Sequence, residues 1–193
     1  MSKESRVTQQ KLWCAIRAFK DFSIPRIAEI CEVEASSAQK YVFMLRRHGY
    51  VTWQEGDKDH TLFRLVRDTG GLAPSNTSKG LKDPNMAGLV SDVSQRLWNA
   101  ICQLNSWEAI ELAGVALAVE GTASRYTRLL VGSGYARCEP RDKRIVGSRN
   151  RYQLLLKTGA IAPLFLEDGS VFDSNLFLQE LWALSKKSKR VRA

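Results

Sequence analysis

The chain has 193 residues, of which 44% are hydrophobic and 25% charged, and its formal net charge is +9. That length and apolar content suit one medium or two small globular domains, and no run approaches the roughly 18 apolar residues of a membrane span. The opening MSKESRVTQQ is polar and lacks the apolar core of a secretory leader, so a soluble, cytoplasmic protein is expected. Cys14, Cys31, Cys102 and Cys138 form no CxxC pair, and His48 and His60 are the only histidines. No metal site is expected from such spacing. Cys14, Cys31 and Cys102 fall instead on apolar helical faces, where reduced thiols act as small hydrophobes.

The first periodic segment places Leu12, Ala15, Ile16 and Phe19 at i, i+3, i+4 and i+7, which predicts a helix of about three turns with one apolar stripe. After a break at Asp21-Phe22, Ser23 is the expected N-cap of a short helix over 24–31, with Pro25 tolerated in its first turn and Ile27, Ala28 and Ile30 facing inward. The turn Glu32 to Ala35 precedes a third helix, capped by Ser36 or Ser37, whose buried face is Ala38, Tyr41, Val42 and Leu45. Gly49 ends it, because glycine accepts the left-handed conformation there. Tyr50 to Trp53 and Leu62 to Val66 then read as strands around the polar loop Gln54 to His60.

Residues 75–93 are rich in Ser, Gly, Asn and Pro and read as a flexible linker between domains at 1–74 and 94–163. The pattern then begins again. Leu97, Ala100, Ile101 and Leu104 repeat the first stripe, and Ser106 stands as the cap of a helix over 107–116. Thr122 caps a third helix with Ala123, Tyr126 and Leu130 inward, Gly134 stops it, and strands follow at Tyr135 to Cys138 and Tyr152 to Leu156. Residues 97–135 laid on 12–50 without a gap give ten identical pairs in 39 positions, against about 6% expected from composition. Leu65, Thr69, Gly70, Ala73 and Pro74 recur four residues out of step as Leu154, Thr158, Gly159, Ala162 and Pro163. A period of 85 residues indicates a duplicated small domain.

The remaining segment, 164–193, predicts a helix over about 175–185. Its Leu176, Phe177, Leu178, Leu181, Trp182 and Leu184 cover too much of the surface for it to stand alone, so it must dock on its own chain or on another copy. Phe177, Leu178, Leu181 and Trp182 are the candidate self-association residues. Lys186, Lys187, Lys189, Arg190 and Arg192 predict a disordered basic tail.

Three helices with a tight turn before the third, closed by Leu-x3-Gly-Tyr and a β-hairpin, resemble the winged helix-turn-helix superfamily. The closing motif is Leu45 to Tyr50 in one repeat and Leu130 to Tyr135 in the other. The expected fold is therefore mainly α with small β-hairpins (α+β): two tandem winged-helix domains and a C-terminal helix. The resemblance implies that the third helix enters the major groove of DNA and that the wing touches the adjacent minor groove or backbone. Carried over, it points to Ser36, Ser37, Gln39, Lys40 and Arg47 in the first repeat and to Thr122, Ser124, Arg125 and Arg128 in the second. These positions also lie outside the apolar faces. Lys40 and Arg125 are equivalent, Gln39 has the chemistry to pair with adenine, and Arg128 with guanine.

The wings differ. Gln54 to His60 carries Glu55, Asp57 and Asp59 against Lys58, whereas the second wing carries Arg141, Lys143, Arg144, Arg149 and Arg151 against Glu139 and Asp142. Residues 1–74 hold 12 basic and 9 acidic side chains and 94–163 hold 10 and 5, so the second domain is expected to grip phosphate more strongly. No phosphate-cradling loop, metal-spaced histidines or general-acid carboxylate cluster is present, so neither an enzyme nor a cofactor or small-molecule ligand is expected. The leading expectation is a double-stranded DNA-binding regulator of transcription or of a mobile element, nucleoid-associated in a bacterial or phage setting. The alternatives are an architectural protein that coats DNA as a multimer or filament, and a protein-interaction scaffold in which the acidic first wing and Phe43 hold a partner.

Overall fold

The computed structural model describes residues 3–54, 62–77, 80–83, 92–140, 144, 149–166 and 168–190. In chain order the first unit comprises α1 (Lys3–Phe19), β1 (Asp21–Phe22), α2 (Ile24–Cys31), α3 (Ala35–Arg47), β2 (Val51–Gln54), β3 (Leu62–Leu65), β4 (Ser75–Thr77) and β5 (Gly80–Lys82). The second comprises α4 (Val93–Leu104), β6 (Ser106–Glu108), α5 (Ala109–Val115), α6 (Glu120–Gly132), β7 (Ala136–Glu139), β8 (Arg151–Leu154), β9 (Leu164–Phe165) and β10 (Val171–Phe172), and α7 (Ser174–Arg190) ends the chain. The α+β class and the duplicated helix–hairpin plan agree with the sequence reading.

Each unit is more elaborate than its pattern suggested. Asp21-Phe22 and the residues from Ser106 to Glu108 are short strands, each antiparallel to the return strand of its own wing, giving sheets of order β1-β3-β2 and β6-β8-β7. Two or three residues are too few to show a period of two, which is why the pattern concealed them. The expected caps also move. Ser23 stands at the start of α2 without a side-chain cap bond, and α3 and α6 begin after Glu34 and Val119 rather than at Ser36, Ser37 or Thr122. Ser106 lies in β6, and Glu108 precedes α5 with its N–H donating to the Glu111 carboxylate at 3.2 Å. Gly49 and Gly134 do close their helices at φ +74° and +79°.

The two cores are built alike. Leu12, Trp13, Ile16, Ala38, Tyr41 and Leu45 are buried in the first, and Leu97, Trp98, Ile101, Ala123, Tyr126 and Leu130 in the second. Trp13 Nε1 donates to the Gly70 carbonyl at 2.8 Å and Trp98 Nε1 to the Gly159 carbonyl at 2.9 Å. One turn earlier, Gln10 spans the same loop: its amide nitrogen donates to the Gly71 carbonyl and its oxygen accepts from the Ala73 N–H. Gln95 does the same with Ala160 and Ala162. Left-handed residues also recur at the same places, Lys20 and Glu32 in one unit and Asn105 and Leu117 in the other.

The segment assigned to a linker is in part structure. β4 and β5 form a hairpin, and Asp83 after it accepts from the Tyr50 hydroxyl at 2.7 Å. β9, β10 and Asp173 repeat this arrangement, with the Tyr135 hydroxyl at 2.7 Å from Asp173. The duplicated unit thus runs from its first helix through a second hairpin to an aspartate. Residues 84–91 lie outside the described residues. Asp92 caps α4, accepting from the Ser94 and Gln95 N–H groups, and pairs with Arg6 of α1.

Asp173 has a second role, because its other oxygen accepts from the Asn175 and Leu176 N–H groups and starts α7. That helix is longer than expected and continues through Arg190, so Lys186, Lys187, Lys189 and Arg190 are helical; Arg192 lies outside the described residues. It packs on α1. Leu178 and Leu181 are buried in the core of the first unit and Phe177 packs against it. Of the two expected ways to cover this helix, docking on its own chain uses the apolar surface of Phe177, Leu178 and Leu181, while Trp182 is half exposed. α7 also carries Gln179-Glu180-Leu181-Trp182, a third version of Gln10-Lys11-Leu12-Trp13 and Gln95-Arg96-Leu97-Trp98. Its leucine is buried like the other two.

The units meet at Ile161. The Asn175 side chain accepts from the Ile161 N–H and donates to its carbonyl, which presents the isoleucine to the first unit. A Cβ at Gly71 would lie 2.7 Å from Ile161 Cδ1, so a larger residue there would have to displace the end of the Ile161 side chain. The equivalent position in the second unit, Ala160, has no such restriction.

Candidate nucleic-acid interface

On α3, Ala38, Tyr41, Val42 and Leu45 face the core. The opposite face exposes Ser36, Gln39, Lys40, Phe43, Arg46 and Arg47, with Ser37 half-buried at its edge. The first-unit residues singled out from the pattern therefore share one accessible helical face. Ser36 is 3.2 Å from the Glu34 carboxylate, to which its hydroxyl donates. Lys40 borders a groove between α3 and α1 lined also by Ser5, Thr8, Gln9 and Ser37.

Sequence reasoning missed two members of this surface, Arg46 and Trp53. The Arg46 guanidinium lies 4.4 Å from the centre of the Trp53 ring, which is 51% exposed. Trp53 meets Phe63 edge-on at 5.9 Å, and Phe43 lies 6.5 Å from the same ring. Arg46 was legible as a cation outside the apolar face. Trp53 was not, because a strand tryptophan is ordinarily counted as core.

On α6, Ala123, Tyr126, Thr127 and Leu130 are buried. Thr122, Arg125 and Arg128 are exposed, and Ser124 is half-buried. Thr122 and Arg125 border a cavity of about 260 Å³ that α1 of the first unit helps to line through Arg6 and Val7. Lys40 and Arg125 are thus equivalent in the fold but differ in setting, since only the second is flanked by the other unit. Arg128 folds back along its own helix, its Nε 3.4 Å from the Ser124 carbonyl.

The acidic residues of the first wing, and Arg141 and Lys143 of the second, lie outside the described residues. Arg144 is exposed. Arg149 forms an exposed ion pair with Glu120 at 3.3 Å, which joins the wing to the start of α6. Such a pair contributes little to stability and exchanges readily for another anion. Arg151 donates to the Ser106 hydroxyl at 2.8 Å, joining the return strand to β6.

Thiol chemistry is muted. Burial pushes the Cys14 thiol up to about 11 and the Cys31 thiol up to about 12, so neither forms a reactive thiolate at neutral pH. All four cysteines are unbridged, and among the described residues no group of three His, Cys, Asp or Glu side chains is placed to hold a metal. Among the same residues no helix is long and apolar enough to cross a membrane. No protein-family model matches the chain, and no curated protein matches its sequence.

Proposed function

We propose that the chain binds double-stranded DNA through the outer faces of α3 and α6, with the basic second wing adding phosphate contacts, and that it acts as a regulator by occupying its site. The observation carrying this reading is the repeated presentation of a polar, cationic third-helix face: Gln39, Lys40, Arg46 and Arg47 in one unit, and Thr122, Arg125 and Arg128 in the other. An exposed helix of this character matches the width and the charge of the major groove. Fluorescence anisotropy on a 30-bp duplex between about 50 and 200 mM salt tests it. Binding should weaken steeply with salt, and replacing Arg125 and Arg128 together with alanine should reduce the slope of log K by about 2, near 0.9 for each phosphate left without its cation. Absence of binding at about 50 mM salt would remove this reading.

A protein-interaction role has support of its own, in the second unit rather than the first. The turn between α5 and α6 exposes Leu117 at 74% and Val119 at 75%, where the first unit has Glu32 and Glu34. Leu117 also holds φ +50°, a conformation that costs a side-chain-bearing residue energy. An apolar side chain exposed there contributes nothing to the core, which favours a contact with another protein. The DNA-coating reading has less to stand on, because Phe177, Leu178 and Leu181 of α7 are used on the core of the first unit.

A further inference from the structure

The exposed face of α3 is polar and cationic around its edges and apolar at its centre. Ser36, Gln39, Lys40, Arg46 and Arg47 surround Phe43, which is 43% exposed. The ring is supported from beneath. Phe63, on which Phe43 rests, is buried and stacks on Phe22 at 5.8 Å, while Trp53 closes its other side and carries Arg46. The second unit keeps the stacked pair, as Trp107 on Tyr152 at 6.2 Å, but not the residues above it. Its equivalents of Gln39, Phe43, Arg46 and Trp53 are Ser124, Arg128, Val131 and Cys138.

A half-exposed ring contributes less to folding than a buried one, yet this one stands in the middle of an otherwise hydrophilic face. The complementary ligand has an apolar floor between anionic rails. Duplex DNA offers that combination in its major groove wherever thymine occurs, since the C5 methyl projects from the floor between two phosphate backbones. Adenine presents N6–H and N7 in the same groove, a pair that a glutamine amide matches with two hydrogen bonds. Gln39 and Phe43 are four residues apart on α3, so their side chains emerge as neighbours on one face.

We infer that the first unit reads T·A base pairs, with Phe43 against the thymine methyl and Gln39 on a nearby adenine. This rests on the reading of the chain as a duplex-DNA binder and supplies its base preference. It also gives the two units separate tasks. The aromatic face of α3 selects methyl-bearing steps, while α6 and its wing hold the duplex by charge.

The test starts with the intact chain and a pool of randomised 30-bp duplexes. Bound duplexes should be enriched in T·A pairs at fixed positions. Each selected thymine is then replaced by deoxyuridine, which removes the methyl and leaves the pairing edge unchanged. At the position read by Phe43, the substitution should weaken binding about fourfold, the value of one buried methylene-sized group. Phe43→Ala should bind the thymine and uracil duplexes equally. Equal binding of both duplexes by the unmodified chain overturns the inference, as does a thymine preference that persists in Phe43→Ala. Duplex binding without T·A enrichment overturns it while leaving the DNA-binding reading in place. Failure to bind any duplex at low salt overturns both, and an apolar protein surface with an acidic rim then becomes the occupant of the face.

Discussion

Tyr41 and Tyr126 stand at the same place in the two units, yet only one phenol has a partner. The Tyr41 hydroxyl donates to the Pro74 carbonyl at 3.1 Å, whereas the buried Tyr126 hydroxyl has no hydrogen-bond partner among the described residues. A buried donor left unsatisfied costs about 1–3 kcal/mol, while a satisfied one contributes about 1 kcal/mol net. Tyr126→Phe should therefore raise stability, and Tyr41→Phe should lower it by about 1 kcal/mol; urea midpoints at neutral pH separate the two. Tyr50 carries a different consequence. Burial, followed by the hydrogen bond to the Asp83 carboxylate, pushes its phenol up to about 12 from an ordinary 10. The fold thus favours the neutral form, so this contribution is complete below pH 10 and is lost as the pH rises towards 12. Urea midpoints should fall across that window, and Tyr50→Phe should flatten the fall. Retention of the full slope in the variant would assign the alkaline loss to other groups, such as Tyr41 and Tyr126, which burial also raises.

At the scale of elements, legibility followed length and period. The long helices and the wing strands showed themselves through apolar spacing, and the glycine stops at Gly49 and Gly134 were correctly placed. The strands β1 and β6 were hidden because two or three residues carry no pattern. The cap assignments failed because Ser36, Ser37 and Thr122 are the second or third residues of their helices, beyond the start they were expected to mark. The clamps made by Gln10 and Gln95 were missed because a glutamine on a helix reads as solvated; only the loop folded over it reveals the two-point attachment. α7 shows how a pattern can fix that an element docks without fixing where. Leu181 is buried in the first unit's core, so Leu181→Ala should cost about 3 kcal/mol in unfolding free energy. Leu176→Ala, on the exposed side of the same helix, should change stability by about 0.5 kcal/mol or less. Equal effects from the two would mean that α7 does not pack on α1 in solution.

At the scale of the molecule, the duplication was legible and the way its halves are joined was not. Ten identities fix the repeat, and the candidate faces on α3 and α6 follow from which helical positions the apolar stripe leaves free. Nothing in the pattern placed Ile161 against Gly71, Arg6 beside Asp92, or α7 across α1, since those contacts join residues roughly 85 to 170 positions apart. Together they hold the first unit from two directions. The chain leaves it after β5, builds the second unit, and returns to it through a helix opened by Asp173, the same aspartate that accepts from Tyr135. That return has a consequence for geometry. Two domains strung on a loose tether can settle on target sites at many separations and on either side of a duplex. A chain bound back on itself presents its two third helices at one separation and one rotational phase, so the proposed DNA-binding role entails a measure of distance along the duplex as well as of base identity.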